Sequence, residues 1–347
     1  MQLYEYELGK AAEVLTKELL GLKSGETLVI TGDTESDIRV IEATARAAFA
    51  LGAKPMVVLV PAPLGVGKLA DPTLPLNPLI GALSKADVWV EFNNQWLLYS
   101  TPYEVAMREN TRLRHLCLVG MDADMMVRCI GRINFPALVR FQEAFTERLE
   151  RTKHVRITSP AGTDVEFDHA AGHPIRCRLG YAHRPGSEML AGQISVAPEF
   201  SSIHGTIVFD GSLVPPLGLL KHPIQLQVTG GQITEITGGK EARMFQKWLT
   251  ELDDPQMFKL AHVSYGFNPG ARLTGNILED ERVWGGTEWG IGSVGASLVP
   301  PEGIPGPSHC DGTCLDSSIW LDRTPVTQEG EVIDEVLVAL AREVVGT

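Results

Sequence analysis

Apolar residues in the first half of the chain come in short continuous runs separated by amphipathic segments. Residues 27–31 (Thr-Leu-Val-Ile-Thr) form one such run, ended by Gly32-Asp33. Over 36–51 the apolar positions Ile38, Ile41, Ala45 and Ala48 recur at the spacing of one helix face, and Gly52 closes the segment. Runs at 55–60, 87–92 and 113–119 repeat the strand signal, and helical patterns occupy 103–110 and 122–130. Strands that are apolar at nearly every position need cover on both faces, so this alternation predicts an open, mostly parallel sheet flanked by helices. A longer helix at about 136–153 closes this half.

Beyond it the period changes. Residues 154–158 and 164–167 alternate apolar and polar positions around Pro160-Ala-Gly162, as do 224–228 and 232–236 around Thr229-Gly-Gly231. Both pairs read as hairpins of an antiparallel sheet. Helical patterns return at 241–252 and 332–345. The prediction is an α/β N-terminal domain, residues 1–150, with a Rossmann-like parallel sheet, followed by an α+β C-terminal domain, residues 151–347, with antiparallel sheet. The chain has 347 residues, and at roughly 150 residues per domain that length also favours two.

Thirty basic against 43 acidic residues leave a net charge of −13 with no basic run, which argues against nucleic acid as a partner. The most apolar stretch, 55–66, is broken by Pro61 and Pro63 and falls short of the ~20 residues a spanning helix needs. Residues 1–7 are acidic where an export signal would be basic and then apolar. The five cysteines, Cys117, Cys129, Cys177, Cys310 and Cys314, are odd in number and scattered, as in a reducing compartment. A cytoplasmic protein is expected. A chain of this size buries enough surface to fold without a structural metal, so any metal is there for chemistry.

Two segments raise chemistry. Pro61-Ala-Pro-Leu-Gly-Val-Gly67-Lys68 resembles a phosphate loop, but Ala62 stands where its first glycine belongs and Leu69 where its hydroxyl residue belongs, so that reading fails. In Ser308-His309-Cys310-Asp311-Gly312, an extended backbone turns His309 and Asp311 to one face, an imidazole beside a carboxylate. His262, in the strand-like run 258–266, supplies a third donor. Two neutral imidazoles and one carboxylate make the facial set that suits non-haem Fe(II), with Mn(II) or Zn(II) as alternatives. Between them, 280–292 is rich in glycines that permit close backbone approach, and holds Glu288, a candidate fourth ligand or general base.

The run Asp254-Pro-Gln-Met-Phe-Lys-Leu-Ala-His262-Val-Ser-Tyr-Gly-Phe-Asn-Pro-Gly-Ala-Arg272, with Ser308-His309-Cys310-Asp311 and Ile319-Trp-Leu-Asp322, resembles the 2,5-dihydroxypyridine 5,6-dioxygenases of bacterial nicotinate degradation. Those enzymes are distant relatives of the aminopeptidase T (M29) metallopeptidases. Tyr181-Ala-His-Arg-Pro-Gly186, His204-Gly-Thr-Ile-Val-Phe-Asp210 and the hairpin 224–239 carry the likeness further. The resemblance implies an M29-like fold, a homo-oligomer, and His262, His309 and Asp311 as ligands of Fe(II). It also implies opening of a hydroxylated N-heteroaromatic ring by O2. Glu288 and Tyr99 are then candidates for the base, Tyr265 for a hydrogen bond to bound oxygen, and Arg184 and Arg272 for a clamp on a substrate carboxylate. The chain departs from both branches. The aminopeptidases carry glutamates at the positions of Gln193 and His262 and a histidine close to Glu288. Histidines assigned acid–base roles in the dioxygenases fall at Tyr99 and near Met189 or Leu190. The alternative activity is a metallohydrolase related to aminopeptidase T, in which Glu288 and a metal activate water. A metal-free binding protein is the third reading.

Overall fold

A computed structural model describes residues 5–346. The reading of residues 1–7 therefore lies partly outside the described residues. The chain packs as two units, 1–133 with 178–191, and 134–177 with 192–347.

In the first unit, α1 (Glu5–Glu13), β1 (Thr27–Asp33), α2 (Ile38–Ala50), β2 (Lys54–Val60), α3 (Leu76–Leu83), β3 (Val88–Glu91), α4 (Thr101–Glu109), β4 (Arg114–Cys117) and α5 (Ala123–Met126) follow the predicted alternation. Side chains start three of these helices: Asp37 accepts from Arg39 N–H before α2, Ser100 from Tyr103 N–H before α4, and Asp122 from Met125 N–H before α5. The four strands pair in parallel in the order β2-β1-β3-β4. β1, β3 and β4 are buried on both faces, which is why their sequences lack alternation. Lys68, the residue behind the phosphate-loop likeness, instead reaches Glu104 at 2.5 Å.

The expected break near residue 150 is not where the packing divides. The helix α6 (Phe135–Glu150) belongs to the second unit, because its buried face carries Phe141 and Phe145 onto Phe267 and Tyr265, with ring centroids 4.7–5.5 Å apart. After it come β5 (His154–Thr158), β6 (Asp164–Asp168) and β7 (Arg176–Arg178). Then β8 (Gly186–Met189) returns to the first unit as a fifth parallel strand beside β4. Four residues lacking apolar alternation gave no sign of that role.

The remaining strands are β9 (Gln193–Val196), β10 (His204–Phe209), β11 (Ser212–Val214), β12 (Gly218–Leu219), β13 (Ile224–Thr229), β14 (Gln232–Gly238), β15 (Leu260–Gly266), β16 (Thr287–Val294), β17 (Ile304–Cys314), β18 (Ser318–Leu321), β19 (Thr324–Gln328) and β20 (Glu331–Val332). An antiparallel sheet runs β14-β13-β10-β6-β5-β18-β19-β20, and a second sheet β12-β11-β17-β16-β15-β9-β7. Both predicted hairpins are present, 154–168 as β5–β6 and 224–238 as β13–β14. Among the described residues no helix is long and apolar enough to cross a membrane.

Candidate metal centre

The second sheet gathers the polar groups of the C-terminal unit onto one face. Antiparallel register sets His262 opposite Gly290, Gly290 opposite Asp311, Gly292 opposite His309, and Ser264 opposite both Glu288 and Ser195. With a side-chain period of two, His262, Ser264, Glu288, His309 and Asp311 leave the same face. One donor atom each from His262, His309 and Asp311 lies within 4.8 Å of the others.

The bonding of these groups is specific. His309 Nδ1 lies 2.6 Å from the Ser293 carbonyl oxygen. A carbonyl only accepts, so Nδ1 carries a proton and Nε2 is the atom left to face Asp311 Oδ1, at 2.8 Å. His262 Nε2 lies 3.1 Å from Glu288 Oε2 and 3.7 Å from Asp311 Oδ1. The two imidazoles stack, 5.2 Å between centroids and 9° from parallel. Burial opposes charge on His309, but Asp311 beside it outweighs that and raises its pKa. Burial likewise works against the Asp311 carboxylate, yet His309 holds its pKa down at about 2. Burial, then repulsion from Asp311 and Glu281, pushes Glu288 well above the usual carboxyl range.

The stacking depends on Gly290. A Cβ there would overlap the His262 ring and come within 2.9 Å of His309 Cε1. Gly290→Ala is therefore expected to lower metal affinity by at least the ~10-fold that follows loss of a ligand-orienting contact, with far-UV circular dichroism unchanged. Metal titration of the purified variant checks this, and wild-type affinity would show that the rings tolerate displacement.

Beneath the same face lies a network that sequence reading missed. Gln193 Nε2 donates to Glu281 Oε2 at 2.6 Å and to Ser264 Oγ at 3.3 Å, while Arg282 Nη2 donates to Gln193 Oε1 at 3.1 Å. Arg282 Nη1 also bonds Glu281 and the Leu278 carbonyl, and Ser195 and Ser264 share a hydrogen bond of 2.8 Å. Gln193 is thus tied at both ends of its amide.

A family model described as NicX, 2,5-dihydroxypyridine 5,6-dioxygenase, matches residues 12–334. The chain belongs to this family. Membership makes it a ring-cleaving dioxygenase by class. The 2,5-dihydroxypyridine 5,6-dioxygenase of Pseudomonas putida is 28% identical over 318 residues, covering 86% of this chain and 88% of that one. A solved structure of 2,5-dihydroxypyridine dioxygenase from Pseudomonas putida superposes with a TM-score of 0.79 at 22% identity, over 97% of this chain and all, 100%, of that one. Wild-type AmpT from Thermus thermophilus gives 0.67 at 16% identity, over 95% and 100%. The expected M29-like fold is borne out by the last two.

A dioxygenase of this family implies a metal, and the donor set fits one. Two imidazole nitrogens and a carboxylate oxygen converge, one imidazole is oriented by a backbone carbonyl as ligating histidines commonly are, and the buried Glu288 Oε1 has no hydrogen-bond partner.

Not every candidate joins this group. Glu288 lies beside His262 but outside the set of three. Tyr265 follows Ser264 on β15, so alternation sends its ring to the opposite face, against Phe145. Its hydroxyl is buried without a hydrogen-bond partner, and burial raises its pKa. Packing, not oxygen binding, accounts for it. Arg272 is exposed, its backbone N–H held by Glu279 Oε1 at 2.7 Å. Arg184 and Tyr99 are exposed residues of the N-terminal unit.

Proposed function

We propose that this dioxygenase opens the ring of 2,5-dihydroxypyridine, or a closely similar hydroxylated N-heteroaromatic, with O2, and that His262, His309 and Asp311 hold Fe(II) to do so. The observation that carries this reading is the meeting of His262 Nε2, His309 Nε2 and Asp311 Oδ1 on one sheet face, with the His309 tautomer set by the Ser293 carbonyl. When bound, Fe(II) supplies a Lewis-acidic, redox-capable centre with open positions for ring and dioxygen.

The protein's own groups do the rest. Asp311 contributes the set's single negative charge, so the loaded site keeps a net positive charge that attracts an ionised ring hydroxyl. Ser293 holds the Nδ1 proton of His309, so Nε2 is the ring nitrogen that would turn to a metal. Glu288, whose carboxyl burial holds well above the usual carboxylate range, is the group to exchange a proton with the ring hydroxyl. Tyr99 is the second candidate for that exchange, and Arg272 and Arg184 are candidates for an anionic ring substituent. A cytoplasmic homo-oligomer completes the reading, the compartment supported by five cysteines that are all free thiols and the oligomer by the family resemblance alone.

Protein purified without oxygen and reconstituted with Fe(II) is expected to consume O2 when given 2,5-dihydroxypyridine, with loss of the ring's ultraviolet band. Absence of uptake on a panel of hydroxylated pyridines would sink the substrate assignment. Zn(II)-supported peptide hydrolysis without O2 uptake would select the hydrolase, a reading that the tied amide of Gln193 already disfavours because a bridging carboxylate is missing there.

A further inference from the structure

The N-terminal unit carries a second constellation, on one face of its parallel sheet. Glu91 ends β3, His115 is the second residue of β4 and Ser187 the second of β8. Parallel register places Trp89 beside His115 and His115 beside Ser187, so these side chains share a face, and Glu91, two residues beyond Trp89, shares it too. His115 Nε2 lies 3.2 Å from Glu91 Oε2, and His115 Nδ1 lies 2.9 Å from Ser187 Oγ.

The proton positions follow from the neighbours. Glu91 is fully buried, and its other oxygen accepts the Leu97 backbone N–H. A carboxylate only accepts, so the ring proton of His115 sits on Nε2 and Nδ1 turns a lone pair to the Ser187 hydroxyl. The imidazole is also fully buried and cannot swing: Trp89 stacks on it at 4.0 Å, and Tyr103 meets its edge at 5.5 Å. Trp89 is itself pinned, its indole N–H donating to Thr31 Oγ1 at 2.9 Å. Ser187 is only partly buried, and the Tyr103 ring stands beside His115, its partner. One ring further out, Tyr99 stands exposed 5.9 Å from Tyr103, at φ 66, a strained backbone for a tyrosine and a common mark of a functional position.

Nucleophile, base and orienting carboxylate in hydrogen-bonded sequence define serine acyl transfer on whatever fold they occur. We propose that Glu91, His115 and Ser187 form an esterase site for small aryl esters, with Tyr103 as the donor to the oxyanion and the Tyr99 and Tyr103 rings as the wall for the aryl group. Ser187 Oγ bonds to the ester carbonyl carbon as its proton passes to His115 Nδ1, and Glu91 stabilises the resulting imidazolium. The carbon–oxygen bond to the aryl group then breaks, and the departing phenolate takes the proton back from Nδ1. Water repeats the sequence on the acyl-serine, freeing a carboxylic acid and restoring Ser187. No electron is transferred, so the reaction needs no oxidant, and Glu91, His115 and Ser187 are not among the metal donors.

The full chain, treated with chelator and mixed with 4-nitrophenyl acetate, is expected to release nitrophenol in a stoichiometric burst and to gain one acetyl group, mapped by peptide mass to Ser187. Ser187→Ala should abolish the burst and lower acyl transfer by about 10³-fold or more, and His115→Gln by about 10²- to 10⁴-fold. Ser187→Cys should regain acetylation as a thioester, which separates a lost nucleophile from a lost fold. Absence of a burst, a burst that survives Ser187→Ala, acetyl found only on lysines, or a burst that needs the metal would each overturn the assignment.

Discussion

Arg282→Met is expected to be the most destabilising single change in the C-terminal unit, costing about 3–5 kcal/mol at neutral pH, the typical loss when one member of a buried ion pair is removed. Arg282 is 0% exposed and Glu281 9%. The guanidinium bonds Glu281, Gln193 and the Leu278 carbonyl, so its loss leaves a buried carboxylate facing only the Gln193 amide. Even with Arg282 present, burial raises the Glu281 pKa, and removal of the cation raises it further. The sign of the pH dependence follows. A carboxyl with a folded pKa above its unfolded value, about 4.3, imposes no ionisation penalty at pH below that value, and the penalty grows as pH climbs through the folded pKa. Arg282→Met should therefore lie closest to wild type in acid and fall away toward neutrality. Urea denaturation across pH, followed by tryptophan fluorescence, measures this. Adding Glu281→Gln should recover most of the loss at neutral pH. A deficit that does not vary with pH, or that the second substitution fails to relieve, would show that packing rather than charge dominates the site.

That network also shows where sequence reading stops. The parallel sheet was legible because strands buried on both faces carry continuous apolar runs, and the hairpins were legible because half-buried strands alternate. The metal-donor candidates were legible because His309 and Asp311 sit two apart on an extended run, a purely local relation. The same period of two, applied one residue at a time along 262–265, already sends Tyr265 to the face opposite His262, where its ring packs on Phe145. Gly290 was visible as one of several glycines allowing close approach, but not as the gap between two stacked rings, since that depends on β15 and β17 flanking β16. The pairing of Gln193 with Glu281 and Arg282 spans 88 and 89 residues. Likewise, Gly186–Met189 joins β4 across more than half a domain of intervening chain. Contacts of that range leave no periodic trace in either partner.

Asp311→Asn and Glu288→Gln, made side by side, are expected to separate a ligand from a neighbour. Asp311 is the only anionic donor of the converging three, and His309 holds it ionised with a pKa of about 2. Replacing it with a neutral amide removes the charge that offsets a divalent ion and presents the cation with a weaker oxygen. Affinity for Fe(II) or Zn(II), measured by competition with a chromophoric chelator, should fall by more than the ~10- to 100-fold typical of losing an outer partner. His309→Ala should fall as far, because it deletes the donor that Ser293 orients. Glu288 differs in kind. Burial and the repulsion of Asp311 and Glu281 favour its neutral acid, for which glutamine is nearly isosteric, so the metal-free variant should unfold close to wild type. Because it meets His262 at Nε2, the nitrogen proposed to face the metal, Glu288 stands beside the ion, and its neutral amide should weaken metal binding by no more than ~10- to 100-fold. If Glu288 also exchanges the substrate proton, the loaded variant should lose turnover by about 10²- to 10⁴-fold while still binding the ring. Equal loss of metal in Glu288→Gln and Asp311→Asn would make Glu288 a fourth ligand. The loaded centre would then be neutral, and the attraction for an ionised ring hydroxyl would have to come from the arginines instead.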